Sequence, residues 1–270
     1  MIGNDYQNDV AEHEGTFRMK KRFLLTVILF ISLFIGAFGA AAPTQAATVN
    51  HEIWADLLGK YITPGGVDYT GFKTEEDRLD QYLKVLEDTD PEKLHRNEQY
   101  AYFINAYNAW TIKLILSGYP GVKSIKDFGT IFKSPWQKKW VRIKGKVITL
   151  DDVEHNILRP RFKDPRVHFA INCSAASCPP LRPEPYLGHT LEKQLDDSTH
   201  SFVNDANSYR LEGNTLYVSR IFKWFSEDFN EDALGFYLKY AEGELKMQLA
   251  QKKDTLRVKY LHYDWSLNSI

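Results

Sequence analysis

Residues 98–117 read EQYAYFINAYNAWTIKLILS and carry apolar or aromatic side chains on nearly every side of a helix. A helix that is apolar nearly all round is typical of the centre of a domain, where it has packing partners on every face. Gly118 and Pro120 follow the run and predict its end. We therefore predict that this helix is the buried centre of the fold.

Two asparagines interrupt this apolar run. Asn105 and Asn108 are three residues apart and lie on one side of the helix. A buried amide without a partner costs about 1–3 kcal/mol, so both side chains need hydrogen bonds. Two interpretations stay open: the amides bond the backbone of a crossing loop, or they line a pocket and offer a hydrogen bond to a substrate carbonyl.

The elements around this helix are mixed. Helical periodicity predicts helices over residues 51–60, 73–86, 151–159, 191–204 and 230–251. Residues 141–149 and 211–218 predict hairpins that turn at Lys144-Gly145 and Gly213-Asn214, and residues 255–263 predict a final strand. We predict an α+β fold, in which a small, mainly antiparallel sheet with hairpins packs against several helices.

The N-terminal part has the order of an export signal. Residues 19–22 are basic at three of four positions, residues 23–38 are apolar without a charge, and small residues follow over 39–47. Cleavage between Ala46 and Ala47, with Thr44 at position −3, is one interpretation. The alternative is an uncleaved membrane anchor over residues 23–42. Either way the protein is predicted to be exported, periplasmic or extracellular.

The domain organisation follows from this signal. Residues 1–18 form a polar extension that is not translated if synthesis starts at Met19, residues 19–46 form the signal peptide or anchor, and residues 47–270 form a single globular domain. A formal net charge of −1 argues against a nucleic-acid surface. The 14% aromatic content favours an aromatic cleft for a peptide, a glycan or an envelope protein, with membrane contact only through the N-terminal segment.

The chemistry is predicted to involve residues 164–180, DPRVHFAINCSAASCPP, which contain the only two cysteines. Residues 167–172 alternate between apolar and polar, so we predict a strand with His168 on its polar face. Cys173 is then a candidate nucleophile with His168 as its general base. Cys178 precedes two prolines and is either a loop anchor or a resolving partner. A structural disulfide between the cysteines is the alternative.

Other polar residues are candidates for binding roles. Glu154 fits a capping box at the start of a helix that opens at Asp151, whereas His155 has no such structural explanation. The two are adjacent and diverge by about 100° on an α-helix, so they are not expected to bind one ion together. Asp264 is predicted to orient a histidine or to dock the C-terminus. We expect neither a metal nor a cofactor.

Five blocks of the sequence occur together in one known family. Residues 102–109, 150–159, 164–181, 221–225 and 263–268 resemble, in this order, the family called domain of unknown function 547, here as a bacterial exported member. The resemblance covers almost all of residues 47–270. It implies a shared core and a shared site, and it names no reaction.

Two functions are compatible with these observations. The first is a thiol-dependent hydrolase or acyl transferase, in which Cys173 attacks a carbonyl, His168 takes the proton and an Asn amide stabilises the oxyanion. The second is a non-catalytic envelope binding module with a structural Cys173–Cys178 disulfide.

The export signal gives a first testable prediction. Because residues 19–46 have the basic, apolar and small-residue order of a signal peptide, the exported protein should begin near Ala47. Intact-mass measurement of the exported protein checks this. A mass that still includes residues 23–38 would identify an anchored protein instead.

Overall fold

A computed structural model describes residues 48–130 and 132–270 of the protein. The polar extension over residues 1–18 and the predicted signal over residues 19–46 lie outside the described residues. Within the described ranges, no helix is both long and apolar enough to cross a membrane.

Helices account for most of the described regular structure. The α-helices are α1 Glu52–Tyr61, α2 Tyr69–Thr74, α3 Glu76–Asp88, α4 Arg96–Leu116, α5 Arg159–Phe162, α6 Leu191–Asn204, α7 Ile221–Trp224, α8 Ala233–Tyr240 and α9 Gly243–Lys252. A π-helix, Asp152–Leu158, runs directly into α5, and short 3₁₀ helices cover Pro91–Lys93, Ile125–Phe128, Pro135–Gln137, Pro165–Phe169 and Ser226–Phe229.

The strands are short and occur mainly as hairpins. They are β1 Ile62–Thr63, β2 Gly66–Val67, β3 Val141–Ile143, β4 Lys146–Ile148, β5 Tyr209–Glu212, β6 Thr215–Val218 and β7 Arg257–Tyr260. The pairs β1–β2, β3–β4 and β5–β6 are antiparallel, whereas β7 runs parallel to β6. The predicted α+β class is confirmed, with both predicted hairpins at their expected turns.

One predicted helix is divided in two. The sequence predicts a single helix over residues 230–251, but α8 ends at Tyr240 and α9 begins at Gly243. Ala241 and Glu242 are extended, and Gly243 adopts a left-handed φ of 51°. Glycine adopts this conformation at low cost, so it permits the break. Both helices are amphipathic enough to share a core, which hid the boundary from the periodicity.

Helix α4 is the centre of the fold, as predicted. Sixteen of its residues are buried; α3 packs beside it, and α1 packs against α3, in the larger of two apolar clusters. The smaller cluster is aromatic and joins α8 to the β5–β6–β7 sheet. Residues 167–175 contribute to both clusters: Ile171 packs in the first and Phe169 in the second. The segment before the cysteines therefore lies at the junction of the two clusters.

The strand predicted over residues 167–172 is wrong. Pro165–Phe169 is a 3₁₀ helix, and the chain is irregular from Ala170 to the cysteines. Asp164 accepts the backbone N–H of Arg166 at 2.9 Å, and Pro165 stands at the first helical position. These are helix-start features, and they prevail over a short alternating pattern. The tighter helix also shortens the path between His168 and Cys173 that an extended strand would impose.

Asn105 and Asn108 are both buried, and the oxygen and the nitrogen of each side-chain amide have a hydrogen-bond partner, as predicted. Asn105 accepts the backbone N–H of Tyr186 at 3.0 Å and donates to its carbonyl at 2.7 Å. Asn108 accepts the N–H of Asn172 at 2.8 Å and donates to the Ala170 carbonyl at 2.9 Å. Each amide therefore attaches a crossing loop to α4, which is the first of the two interpretations.

This arrangement predicts the effect of removing one amide. Asn105→Leu leaves the N–H and the carbonyl of Tyr186 without partners, so it should lower the free energy of unfolding by about 1–3 kcal/mol although leucine is more apolar. Chemical denaturation measures the change. Asn97→Leu is the matched control, because Asn97 is exposed on the same helix. Equal stability of the two variants would contradict the prediction.

Candidate functional site

A cleft of about 220 Å³ opens at the junction of the two apolar clusters. Its walls are mainly aromatic, and its polar groups include thiols, imidazoles, carboxyls and two tyrosine hydroxyls. The lining residues are Tyr107, Trp136, Asp151, Glu154, His155, His168, Ile171, Cys173, Cys178, Pro179, Ile221, Trp224, Phe225, Tyr263 and Trp265.

The two cysteines are free thiols in contact with each other. Their sulfur atoms lie 2.8 Å apart, as a thiol–thiol hydrogen bond. The Cys178 sulfur also accepts the backbone N–H of Cys173 at 2.9 Å, and the Tyr263 hydroxyl lies 3.4 Å from the Cys173 sulfur. The two cysteines are therefore neighbours in space, as predicted, but they form no disulfide bond in this structure. Tyr263, from a distant part of the sequence, contacts the Cys173 sulfur as well.

Asn172 holds the loop that carries both thiols. Its Oδ1 accepts the N–H of Ser174 at 2.7 Å, and its Nδ2 donates to the Pro179 carbonyl at 2.7 Å. Ser174 has a φ of 61°, a left-handed conformation that is unfavourable for a residue with a Cβ atom. The hydrogen bonds of Asn172 on both sides of the loop stabilise this turn directly after Cys173.

The C-terminal segment covers the other side of the same loop. Ala176 donates its N–H to the Ser266 carbonyl at 2.8 Å, and Asn268 donates its N–H to the Ser174 carbonyl at 3.1 Å. The Asn268 side chain also donates to Asn172 Oδ1 at 3.3 Å. Residues 263–268 thus bring Tyr263 and Trp265 into the cleft.

The two thiols differ in acidity. Hydrogen bonding from the Cys178 thiol, with help from the Tyr263 hydroxyl and the Ala175 N–H, lowers the pKa of Cys173 despite its burial. Burial raises the pKa of Cys178 well above its usual value, and the hydrogen bond to Cys173 raises it further. Cys173 is therefore the thiol that ionises first, and a thiolate is the nucleophilic form.

His168 is oriented by an acidic residue that sequence reasoning missed. Its Nε2 bonds Asp228 at 2.6 Å, and its ring stacks on Phe225 with the centroids 4.0 Å apart. Burial lowers the pKa of His168 although Asp228 opposes the change, so the ring is neutral at pH 7 and donates Nε2–H. Nδ1 is then the ring nitrogen left for the cleft.

Asp228 is itself a charged anchor. Arg159 donates Nε–H to its carboxylate at 2.6 Å. Although burial opposes the change, hydrogen bonds from His168 and Arg159 lower the pKa of Asp228 to about 2. Asp228 is therefore ionised at neutral pH and fixes both the tautomer and the orientation of His168.

Glu154 faces the cleft and does not cap a helix. The capping box is formed by Thr149 and Asp152, where Asp152 accepts the Thr149 N–H at 2.9 Å and Thr149 Oγ1 accepts the Asp152 N–H at 2.9 Å. The capping role predicted for Glu154 is therefore wrong by two positions. Glu154 is only 7% exposed, and burial raises its pKa to about 7, which the Tyr107 hydroxyl and Arg159 offset only in part.

A π-helix explains why Glu154 and His155 line one cleft. Arg159 donates its N–H to the Glu154 carbonyl, five residues back. Pro160 lacks an N–H and its ring crowds the carbonyl four residues earlier, so a wider turn before it relieves the clash. The wider turn reduces the angle between neighbouring side chains below the roughly 100° of an α-helix. Glu154 and His155 can therefore line the same cleft although they are adjacent in sequence.

His155 lies at the edge of the cleft. Its Nδ1 is 3.0 Å from Arg159 Nη1, and its ring is inclined by 28° to that of Phe225 with the centroids 6.1 Å apart. Burial and the Arg159 charge together lower its pKa.

Three predicted site residues, Asn105, Asn108 and Asp264, lie outside the cleft lining. Asn105 bonds Tyr186, and Asp264 is exposed, with its carboxylate accepting the Ser266 N–H at 2.8 Å. The backbone N–H of Asp264 donates to Ser177 Oγ at 2.9 Å, and Asp228 is the residue that orients a histidine. Asn108 reaches the site only through Asn172. Asp228 lies three residues after the aromatic block 221–225, which resembles the family. This block was the one sequence feature near Asp228 that indicated a functional region.

Metal binding has no obvious donor set here. In the described part of the chain, no group of three or more His, Cys, Asp or Glu side chains is arranged to hold a metal ion.

The fold and the site together define an α+β protein that carries two contacting thiols and a carboxylate-oriented histidine in an aromatic cleft. Residues 91–203 match the model of the family described as "Protein of unknown function, DUF547". The resemblance found from the sequence is confirmed over residues 91–203, a stretch that contains both cysteines, His168 and Glu154. The blocks at residues 221–225 and 263–268, with Asp228, lie beyond the match. No curated protein and no solved structure matches the chain.

The raised pKa of Glu154 predicts a pH-dependent stability. Between its ordinary value of 4.5 and about 7, the unfolded chain ionises this carboxyl while the folded chain keeps the proton, so the wild type loses stability as pH rises. Glu154→Gln cannot ionise and should gain about 2–3 kcal/mol relative to the wild type between pH 4.5 and pH 7.5. Denaturation at both pH values measures the difference.

Glu231→Gln is the control, because Glu231 is exposed and the substitution removes the same charge. Its stability relative to the wild type should change little between the two pH values. A Glu154→Gln difference that is equally flat would contradict the buried, protonated state of Glu154.

Proposed function

We propose that the protein is an exported thiol-dependent hydrolase or acyl transferase in which Cys173 is the nucleophile and His168 the general base. The observation that supports this most directly is that Cys173 and His168 line one cleft while Asp228 holds His168 Nε2 at 2.6 Å. Nucleophile, base and orienting carboxylate are the three parts that acyl transfer by a thiol requires.

The chemistry follows from these roles. His168 Nδ1 takes the Cys173 proton, and the sulfur attacks a carbonyl carbon to form a tetrahedral adduct. The C–N or C–O bond to the leaving group then breaks, the leaving group takes the proton from His168, and a thioester remains. Attack by water or by an acceptor alcohol or amine, with its proton returned through His168, releases the acyl group and the thiol.

The oxyanion donor differs from the predicted one. The amides of Asn105 and Asn108 bond backbone groups, so neither is free for a substrate. The Tyr263 hydroxyl is the donor nearest the Cys173 sulfur and takes this role in our proposal.

The contact between the sulfurs favours a second candidate. A thiol–thiol distance of 2.8 Å suits the predicted disulfide, which would make the protein a non-catalytic envelope module whose aromatic cleft binds a peptide, a glycan or a partner protein. The two candidates differ in whether Cys173 is free in the exported protein.

Alkylation separates them. Without a reductant, iodoacetamide at pH 7 should modify Cys173 much faster than Cys178, because Cys173 ionises first. His168→Ala should slow the reaction by about tenfold through the loss of the proton acceptor. Peptide mass spectrometry measures both rates, and His189→Ala, at an exposed histidine, is the control.

Protection of both cysteines until a reductant is added would reject the enzyme proposal and favour the disulfide-bonded module. Equal rates for Cys173 and Cys178 would reject the assignment of Cys173 as the nucleophile.

A further inference from the structure

The charged residues that line the cleft are all acidic. Its acidic lining residues are Asp151 and Glu154, and among the described lining residues none is a lysine or an arginine. His168 is neutral at pH 7 because burial lowers its pKa. Arg159 lies near, but its guanidinium is neutralised by ion pairs with Asp228 and Glu227. The cleft therefore presents two carboxyls and no lysine or arginine in its described lining, and Glu154, with a pKa of about 7, is mostly charged only above neutral pH.

The walls of the cleft are made of aromatic faces and edges. Trp224 and Trp265 lie with their ring centroids 5.6 Å apart, and Tyr263 lies 4.6 Å from Trp265. Trp136 meets Trp265 edge to face at 5.7 Å. Trp224 is 43% exposed, an unusual exposure for so large an apolar residue, and it stands at the mouth of the cleft.

Two aromatic rings of the cleft lining, those of Trp265 and Phe225, already contact cationic side chains of the protein. Lys126 Nζ lies 3.9 Å from the centroid of Trp265, and the Arg159 guanidinium lies 5.1 Å from that of Phe225. A cation is attracted to an aromatic face by the ring quadrupole, and the attraction increases when water is excluded. Aromatic faces combined with unbalanced carboxyls are the surroundings that recognise an organic ammonium group.

From this we infer that the substrate of the cleft carries a positively charged ammonium group, held by the Trp224, Trp265 and Tyr263 rings and by the carboxyls of Asp151 and Glu154. This inference names the substrate class of the site and rests on the proposed function. It also explains how an acidic cleft tolerates a thiolate. The Glu154 charge raises the pKa of Cys173, and a bound ammonium group offsets that effect during attack.

Methanethiosulfonates of different charge test the substrate class at Cys173 itself. In this reaction the thiolate attacks the sulfenyl sulfur, a mixed disulfide forms and methanesulfinate leaves. At pH 8, where Glu154 is mostly ionised, the full-length Cys178→Ala protein is treated with the neutral methyl, the cationic trimethylammonioethyl or the anionic sulfonatoethyl reagent. The cation-to-anion rate ratio, divided by that for 2-mercaptoethanol, should be about tenfold or more.

Matched variants locate the charge effect. Asp151→Asn and Glu154→Gln should each reduce the normalised ratio by at least about threefold. Glu231→Gln removes one negative charge from an exposed position outside the cleft and should leave the ratio unchanged. If the Cys178→Ala variant does not fold, the same rates are measured on the wild type, in which the first thiol to be modified is monitored.

A second readout does not depend on reactivity. Tetramethylammonium chloride should quench tryptophan fluorescence more than sodium chloride of equal ionic strength, and Asp151→Asn should weaken this quenching. Rapid modification of Cys173 by the neutral reagent, with a normalised cation-to-anion ratio near one, would overturn the ammonium inference but not the assignment of Cys173 as the nucleophile. No modification, with specific quenching, would reject the nucleophile and support the ammonium site, whereas neither effect would overturn both.

Discussion

The bond between Asn108 Oδ1 and the Asn172 N–H, at 2.8 Å, joins the core of the protein to its site. Asn108 belongs to the rigid central helix, and Asn172 immediately precedes Cys173. From Asn172 the hydrogen bonds continue to Ser174 and to the Pro179 carbonyl. A nearly structureless loop therefore gains a fixed position, because its polar backbone groups are satisfied by two buried amides.

This dependence explains why the site needs residues from distant parts of the chain. Cys173 and His168 are close in sequence, but the Tyr263 hydroxyl comes from the C-terminal segment and the Asp228 carboxylate from the region after α7. Neither segment contains a cysteine or a histidine that would mark it as catalytic. The central helix and the C-terminal segment hold the thiol loop from opposite sides, so its geometry depends on the complete fold.

The sequence predicted best where a pattern is long. The central helix, α6 and the two hairpins follow from periodicity or from turn residues, because each pattern extends over most of its element. The short alternation over residues 167–172 misled, since the Asp164-Pro165 pair starts a helix there. Glu154 was noticed for a local reason, a capping box, which Thr149 and Asp152 form instead. Asp228 was missed because its partner, His168, is sixty residues away.

Several unfavourable local features lie at or beside the cleft that contains the thiols. Ser174 adopts a left-handed conformation, the helix before Arg159 widens to a π-turn, and Glu154 is buried with its pKa raised to about 7. Each opposes stability, and the carboxyl also opposes a thiolate at Cys173. A purely structural disulfide would need none of them near it. Their concentration at one aromatic cleft supports the proposal that this cleft has a chemical function, because local rules are commonly broken at functional sites.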